Sequence, residues 1–84
     1  MEPEAILGRM KAFFQETQPP EVIASFSEQS PRALLTESLD VVDFVVYLED
    51  ELGREIDINE LSQSLLNKNF GELAVEISRM LDRG

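Results

Sequence analysis

The 84-residue chain contains no cysteine, no histidine and no tryptophan. Without cysteine there is no disulfide framework, no thiolate metal ligand and no thiol nucleophile supplied by the protein itself. Without histidine the commonest general base and the commonest metal ligand are both gone. Ordinary hydrolase and metalloenzyme chemistry is therefore not expected, although paired carboxylates remain possible for acid–base work. Basic residues are also scarce, with seven Lys and Arg against seventeen Asp and Glu and a formal charge of −10. Phosphate backbones and anionic lipid headgroups both demand Lys and Arg, so neither nucleic acid nor an anionic membrane surface is an expected partner. No apolar run approaches the roughly 20 residues that span a bilayer. The segment 1-MEPEAILGRMKAFF-14 opens with Glu2 and Glu4, acidic where a signal peptide is basic, and its apolar residues are interrupted. The expectation is a cytoplasmic, soluble monomer without catalytic activity, steered towards basic protein faces. The length fits a single domain over 1–84.

Apolar residues recur at three- and four-residue spacing and not in alternation. This predicts an all-α fold: a small four-helix bundle with a long loop between helices 1 and 2 and a short third helix. The first helix is expected over 3–16. Pro3 suits the first helical position, Glu2 and Glu4 complement the positive end of the dipole, and Ile6, Leu7, Met10, Phe13 and Phe14 make the buried stripe. Pro19-Pro20 closes it. The segment 17–37 is long for a loop in a compact domain, so a turn or two of helix is expected inside it. Ser30-Pro31 supplies a cap and first position there, and Val22, Ile23, Phe26, Leu34 and Leu35 supply anchors. The second helix is expected from 38 or 39 to 52, stopped by Gly53. A short third helix fits 57–66, where Asp57 and Glu60 have capping-box spacing. A fourth fits 69–83, with Asn69 and Glu72 at the same spacing and Phe70, Leu73, Ile77 and Met80 or Leu81 as its stripe.

The stretch 34-LLTESLDVVDFVVYLEDELG-53 is very apolar, yet it carries six acids and no basic residue. On a helix, Val41, Val45, Leu48 and Leu52 form one line with Phe44 beside it, enough to cover a core. Leu39, Val42 and Val46 form a second line, bordered by Asp40, Asp43, Glu49 and Asp50. Periodicity leaves two readings open. Either the helix is central and buried on most sides, or the second line is a docking strip for a partner with a hydrophobic pocket and a basic rim. The uniform charge favours the strip, because an exposed face kept only for stability mixes signs to gain i,i+4 pairs. Ser38 also has two readings. A serine ahead of an apolar helix is most often its N-cap, although Val41 stands where the matching capping box needs Glu or Gln. Alternatively it is a modification site, and with no histidine to activate its hydroxyl an outside enzyme must act on it.

The string 37-ESLDVVDFVVYLEDELGREI-56 resembles the acyl carrier protein family, whose hallmark is an Asp-Ser-Leu motif opening an acidic second helix with a Glu-rich end. Ser38, Leu39 and Asp40 match the motif, and Val42, Asp43, Leu48, Glu49, Asp50, Glu51, Glu55 and Ile56 continue it in register. Elsewhere the likeness is one of helix order and of the long first loop. The resemblance implies that a phosphopantetheinyl transferase attaches 4'-phosphopantetheine to Ser38, and that the thiol of this arm holds acyl groups as thioesters. It implies that Glu37, Leu39, Asp40, Val42, Asp43, Val46, Glu49 and Asp50 are read by acyl-transferring or acyl-activating enzymes with basic docking faces. Leu48, Ile56, Leu61 and Leu65 are the candidate lining for an acyl chain held between the second and third helices. No metal is implied.

Three positions depart from the family pattern. Glu37 stands where Asp usually precedes the serine, Leu35 where Gly is usual, and Tyr47 where small residues are common. The departures point to a specialised, stand-alone carrier in a fatty-acid or polyketide-type pathway. A peptidyl or aminoacyl carrier, and an unmodified acidic interaction module in which Ser38 is only a cap, are the alternatives. A calcium loop beginning at 57-DINEL-61 fails on sequence, since Ser62 stands where the sixth position needs Gly and Lys68 where the twelfth needs Glu.

Overall fold

Three prolines set helix starts in the computed structural model, which describes residues 2–83. Pro3, Pro20 and Pro31 open α1 (Pro3–Phe14), α2 (Pro20–Ala24) and α3 (Pro31–Leu34). At that position the fixed φ is already helical and the missing N–H is not needed. A 3-10 turn, Phe26–Glu28, lies between α2 and α3. Then follow α4 (Ser38–Leu52), α5 (Ile58–Asn67) and α6 (Phe70–Arg83), and no strand occurs among the described residues. The segment expected to be a loop with a turn or two of helix thus holds two short helices and a 3-10 turn. Pro20 begins a helix as well as following the end of one. α1 stops at Phe14, short of the expected residue 16, and passes into a turn over 15–17 in which the Thr17 and Gln18 N–H groups both donate to the Phe14 carbonyl.

The later helix ends follow local chemistry closely. α4 stops at Gly53, whose φ of 65° is left-handed and whose N–H donates to the Glu49 carbonyl at 2.9 Å. Glycine adopts that conformation without the Cβ clash that any other residue meets. The Asp57 carboxylate caps α5, accepting from the Asn59 and Glu60 N–H groups at 2.9 and 3.4 Å. Glu60 does not complete the expected box, because its carboxylate pairs with Arg83 of α6. Asn69 and Glu72 do complete theirs at the start of α6, with bonds of 2.8 and 3.2 Å.

The apolar stripes meet in one core. α1 lies against both α6 and α4, α5 packs on α3 and α6, and the 3-10 turn packs on α6. Ile6, Met10, Phe44, Leu48, Leu61, Phe70, Leu73 and Ile77 are wholly excluded from solvent. The chain has only five Phe and one Tyr, yet all these rings join in a single cluster. Phe26 and Phe70 stack with centroids 4.2 Å apart, and beside them the Phe70 N–H donates to the Gln29 carbonyl at 3.0 Å. Gly71 permits this approach, since a Cβ there would lie 3.2 Å from the Ser27 carbonyl oxygen. The long connection is thereby fastened to the start of α6, and it buries Pro31 and Leu35 just ahead of Ser38. The radius of gyration is 11.7 Å, against about 12 Å for a well-packed chain of this length. Among the described residues no helix is long and apolar enough to cross a membrane.

Candidate functional site

Glu37, and not Ser38, is the N-cap of α4. Its backbone is extended, with φ −120° and ψ 153°, and its carbonyl accepts from the Asp40 and Val41 N–H groups at 3.1 and 3.3 Å. The Asp40 carboxylate reaches back to the Glu37 N–H at 3.3 Å. The capping arrangement that Val41 could not complete therefore exists one residue earlier, with an acid three positions after Glu37. This corrects the reading of Ser38 as a cap: Ser38 already has helical geometry and is the first residue of α4. Its side chain is exposed, and among the described residues its hydroxyl makes no hydrogen bond. It stands where the first N–H groups of the helix lack intrahelical partners and the dipole is positive.

The two apolar lines of α4 have different fates. Phe44, Val45, Leu48 and Leu52 are buried and Val41 is half-buried, whereas Leu39 is 72% exposed, Val42 46% and Val46 50%. Burial on most sides is excluded. Exposed Glu37, Asp43 and Asp50 and half-buried Asp40 surround the bare strip. Glu49 is partly turned inward: its Oε2 accepts from the Ile56 N–H at 2.9 Å and braces the bend after Gly53. Helical spacing gave no sign of that bond, which depends on a residue beyond the helix end.

Tyr47 lies half-buried in the seam between α1 and α4, its ring centroid 5.1 Å from that of Phe13. Its hydroxyl donates to Glu51 Oε1 at 3.4 Å, and the same oxygen pairs with Arg9 at 3.2 Å. Burial first, then the Glu51 charge and hydrogen bond, hold the Tyr47 pKa above the usual 10.0, with Arg9 acting the other way. The size of Tyr47 thus serves the α1–α4 seam.

Of the acyl-lining candidates, Leu48 and Leu61 are fully buried and Leu65 and Ile56 nearly so. Ile56 and Leu65 border different cavities. Ile56 lines a groove of about 420 Å³ together with Arg54, Asp57, Glu60, Met80 and Leu81. Leu65 lines a cleft of about 160 Å³ where α3, α4 and α5 meet, with Pro31, Arg32, Leu35, Val41 and Leu66. Leu35 and Val41 lie three residues before and three after Ser38, so this smaller cleft flanks the serine along the chain. Apart from Leu65, its lining was not foreseen as a pocket, because it is assembled from separate elements whose meeting no spacing records. Among the described residues no three acidic side chains converge to hold a metal ion. No protein-family model matches the chain, and neither a curated protein nor a solved structure matches it.

Proposed function

We propose that this chain is a specialised, stand-alone acyl carrier protein in which Ser38 bears a 4'-phosphopantetheine arm. The observation that carries the reading is the state of Ser38. A serine kept as a cap spends its hydroxyl on the helix start. Here Glu37 and Asp40 close that start, and the Ser38 hydroxyl is left exposed. The residues suit the group: its phosphodiester is anionic, and the start of α4 offers unpaired N–H groups at the positive dipole end. Ser38 Oγ is the nucleophile: it attacks the pyrophosphate of coenzyme A, the P–O bond to adenosine 3',5'-bisphosphate breaks, and that bisphosphate leaves. With no histidine in the chain, the base that takes its proton belongs to the phosphopantetheinyl transferase. Once attached, the arm supplies a thiol that holds acyl groups as thioesters.

Leu39, Val42 and Val46 form the apolar centre of the docking strip, and Glu37, Asp40, Asp43 and Asp50 form its acidic rim. Glu49 adds charge to the rim while its carboxylate holds the Ile56 N–H. Such a surface suits acyl-transferring or acyl-activating enzymes with a hydrophobic pocket in a basic face. On this reading α1, α4, α5 and α6 are the helices of a four-helix carrier bundle, and α2 and α3 elaborate its first loop. The protein works as a cytoplasmic monomer in a fatty-acid or polyketide-type pathway, with an aminoacyl cargo as the variant of the same role.

Intact mass after incubation with coenzyme A and a broad-specificity phosphopantetheinyl transferase tests the reading. The parent protein is expected to gain one phosphopantetheine and S38A none. No gain across several transferases, with the protein folded, favours an unmodified docking module, which the exposed strip on α4 suits equally well.

A further inference from the structure

Five of the side chains lining the cleft between α3, α4 and α5 are apolar, namely Pro31, Leu35, Val41, Leu65 and Leu66, and the remaining one is Arg32. Leu66 is 60% exposed, so the apolar wall continues to the mouth and is left wet. Arg32 is exposed, and the ion pairs among the described residues join Arg9 to Glu51 and Arg83 to Glu60, leaving Arg32 without an acid. Lys11, Arg54, Lys68 and Arg79 share that state, but Arg32 alone of the cations lines this apolar cleft, where it is available to an outside anion. The larger groove beside Ile56 contrasts with this. Its cations are engaged, Arg83 with Glu60 and Arg54 with the Leu81 carbonyl, and Glu55 and Asp57 also line it. A carboxylate is unwelcome there.

The volume limits the occupant. The cleft holds about 160 Å³, and at about 30 Å³ for each water-sized group that is space for about five non-hydrogen atoms. A long fatty chain does not fit. Leu35 also borders a second cavity, on the side of Phe13, Phe14 and Leu34, so its buried side chain stands as the partition between the two. Apolar walls, a cationic lip and a short reach are together complementary to a short chain with a negative far end.

Building on the carrier reading, we propose that this cleft receives the far end of the cargo borne on Ser38, and that the cargo class is a short acyl group ending in a carboxylate, which Arg32 binds. Val41 and Leu65 face the methylenes, and Leu35 limits the chain length. Arg32 is a specificity-determining residue in this scheme and takes no part in attaching the arm.

The test loads Ser38 from glutaryl-coenzyme A and, separately, from pentanoyl-coenzyme A with a transferase, checks each product by intact mass, and compares ¹H–¹⁵N spectra. Both chains have the same number of carbons and differ in the terminal charge. An exposed charge pair shifts such an equilibrium by up to about fivefold. The glutaryl form is therefore expected to move the Leu35, Val41, Leu65 and Leu66 amides and the Arg32 Nε further than the pentanoyl form does. In R32Q, an exposed change that leaves the core intact, the two cargoes are expected to give equal shifts. If Ser38 loads but the two cargoes already act alike in the parent protein, or the cleft amides do not move, this inference is overturned and the carrier reading stands. If Ser38 does not load at all, both fall.

Discussion

At the scale of single residues, Glu37 takes the capping role that the sequence offers to Ser38. On the proposed carrier reading, stability and function are then separated at neighbouring positions. S38A removes a hydroxyl that makes no hydrogen bond among the described residues, so its unfolding free energy in urea should match the parent's within about 0.5 kcal/mol, while on the proposed reading phosphopantetheine loading is lost. D57A removes the side chain that caps α5 through Asn59 and Glu60 and should cost about 1 kcal/mol. A comparable loss in S38A would mean that the serine supports the helix start after all. Tyr47 offers a separate residue-scale prediction. Its folded pKa lies above the usual 10.0, so the folded protein holds the phenolic proton more tightly than the unfolded chain. That contribution is complete below pH 10 and is lost as the pH rises through the folded pKa. Stability against urea should therefore fall on the alkaline side, and Y47F should flatten part of that fall. An unchanged slope in Y47F would assign it to other groups.

At the scale of the element, α4 is one helix with two apolar faces, one buried in the core and one exposed. Phe44 sits on the inner face, fully buried and 5.5 Å from Phe14 by ring centroids. F44A should cost about 3–5 kcal/mol. That is a large part of the total for a chain of this size, at roughly 0.1 kcal/mol per residue. On the outer face the triple change of Leu39, Val42 and Val46 to Ala should leave the urea midpoint nearly unchanged and slow loading by the transferase. A triple variant that unfolds easily would show that the outer line packs in solution and is not a docking strip. The helix itself was legible: Ser38–Leu52 and the Gly53 stop follow from apolar spacing and a glycine at the end. Its two faces were visible as two lines of residues. Whether the second line is covered as well was left open between two readings, because that depends on α1 covering one side and on α5 packing against α3 and α6.

At the scale of the whole molecule, charge of one sign dominates. Seventeen acids against seven bases, with no histidine, leave no side chain whose ordinary pKa lies between pH 5 and 8, so the net charge changes little around neutrality. The acids on α4 repel one another across an exposed surface. Raising ionic strength from about 0.01 M to 0.15 M shortens the Debye length from about 30 to about 8 Å. Salt should therefore raise the melting temperature and, on the proposed reading, slow association with basic partner enzymes, as measured by thermal scans and stopped-flow binding. A melting temperature that is flat or falls with salt would indicate that the acids are already balanced within the fold.

The sequence alone determined whatever depends on neighbours a few residues apart. The all-helical class, the helix starts at Pro3 and Pro31, the Gly53 stop, the Asp57 cap and the Asn69–Glu72 box are of this kind, since each is settled by one turn of backbone. So are the acidic balance and the exclusions that follow from lacking cysteine and histidine. Tertiary structure decided the rest. It turned Glu60 from its own helix start to Arg83, drew Glu49 to the Ile56 N–H, and left Leu39, Val42 and Val46 in water. It also brought Arg32, Val41 and Leu66 to one cleft. These outcomes depend on residues far apart in the chain meeting in space, and no local periodicity encodes which of several available partners a side chain will meet.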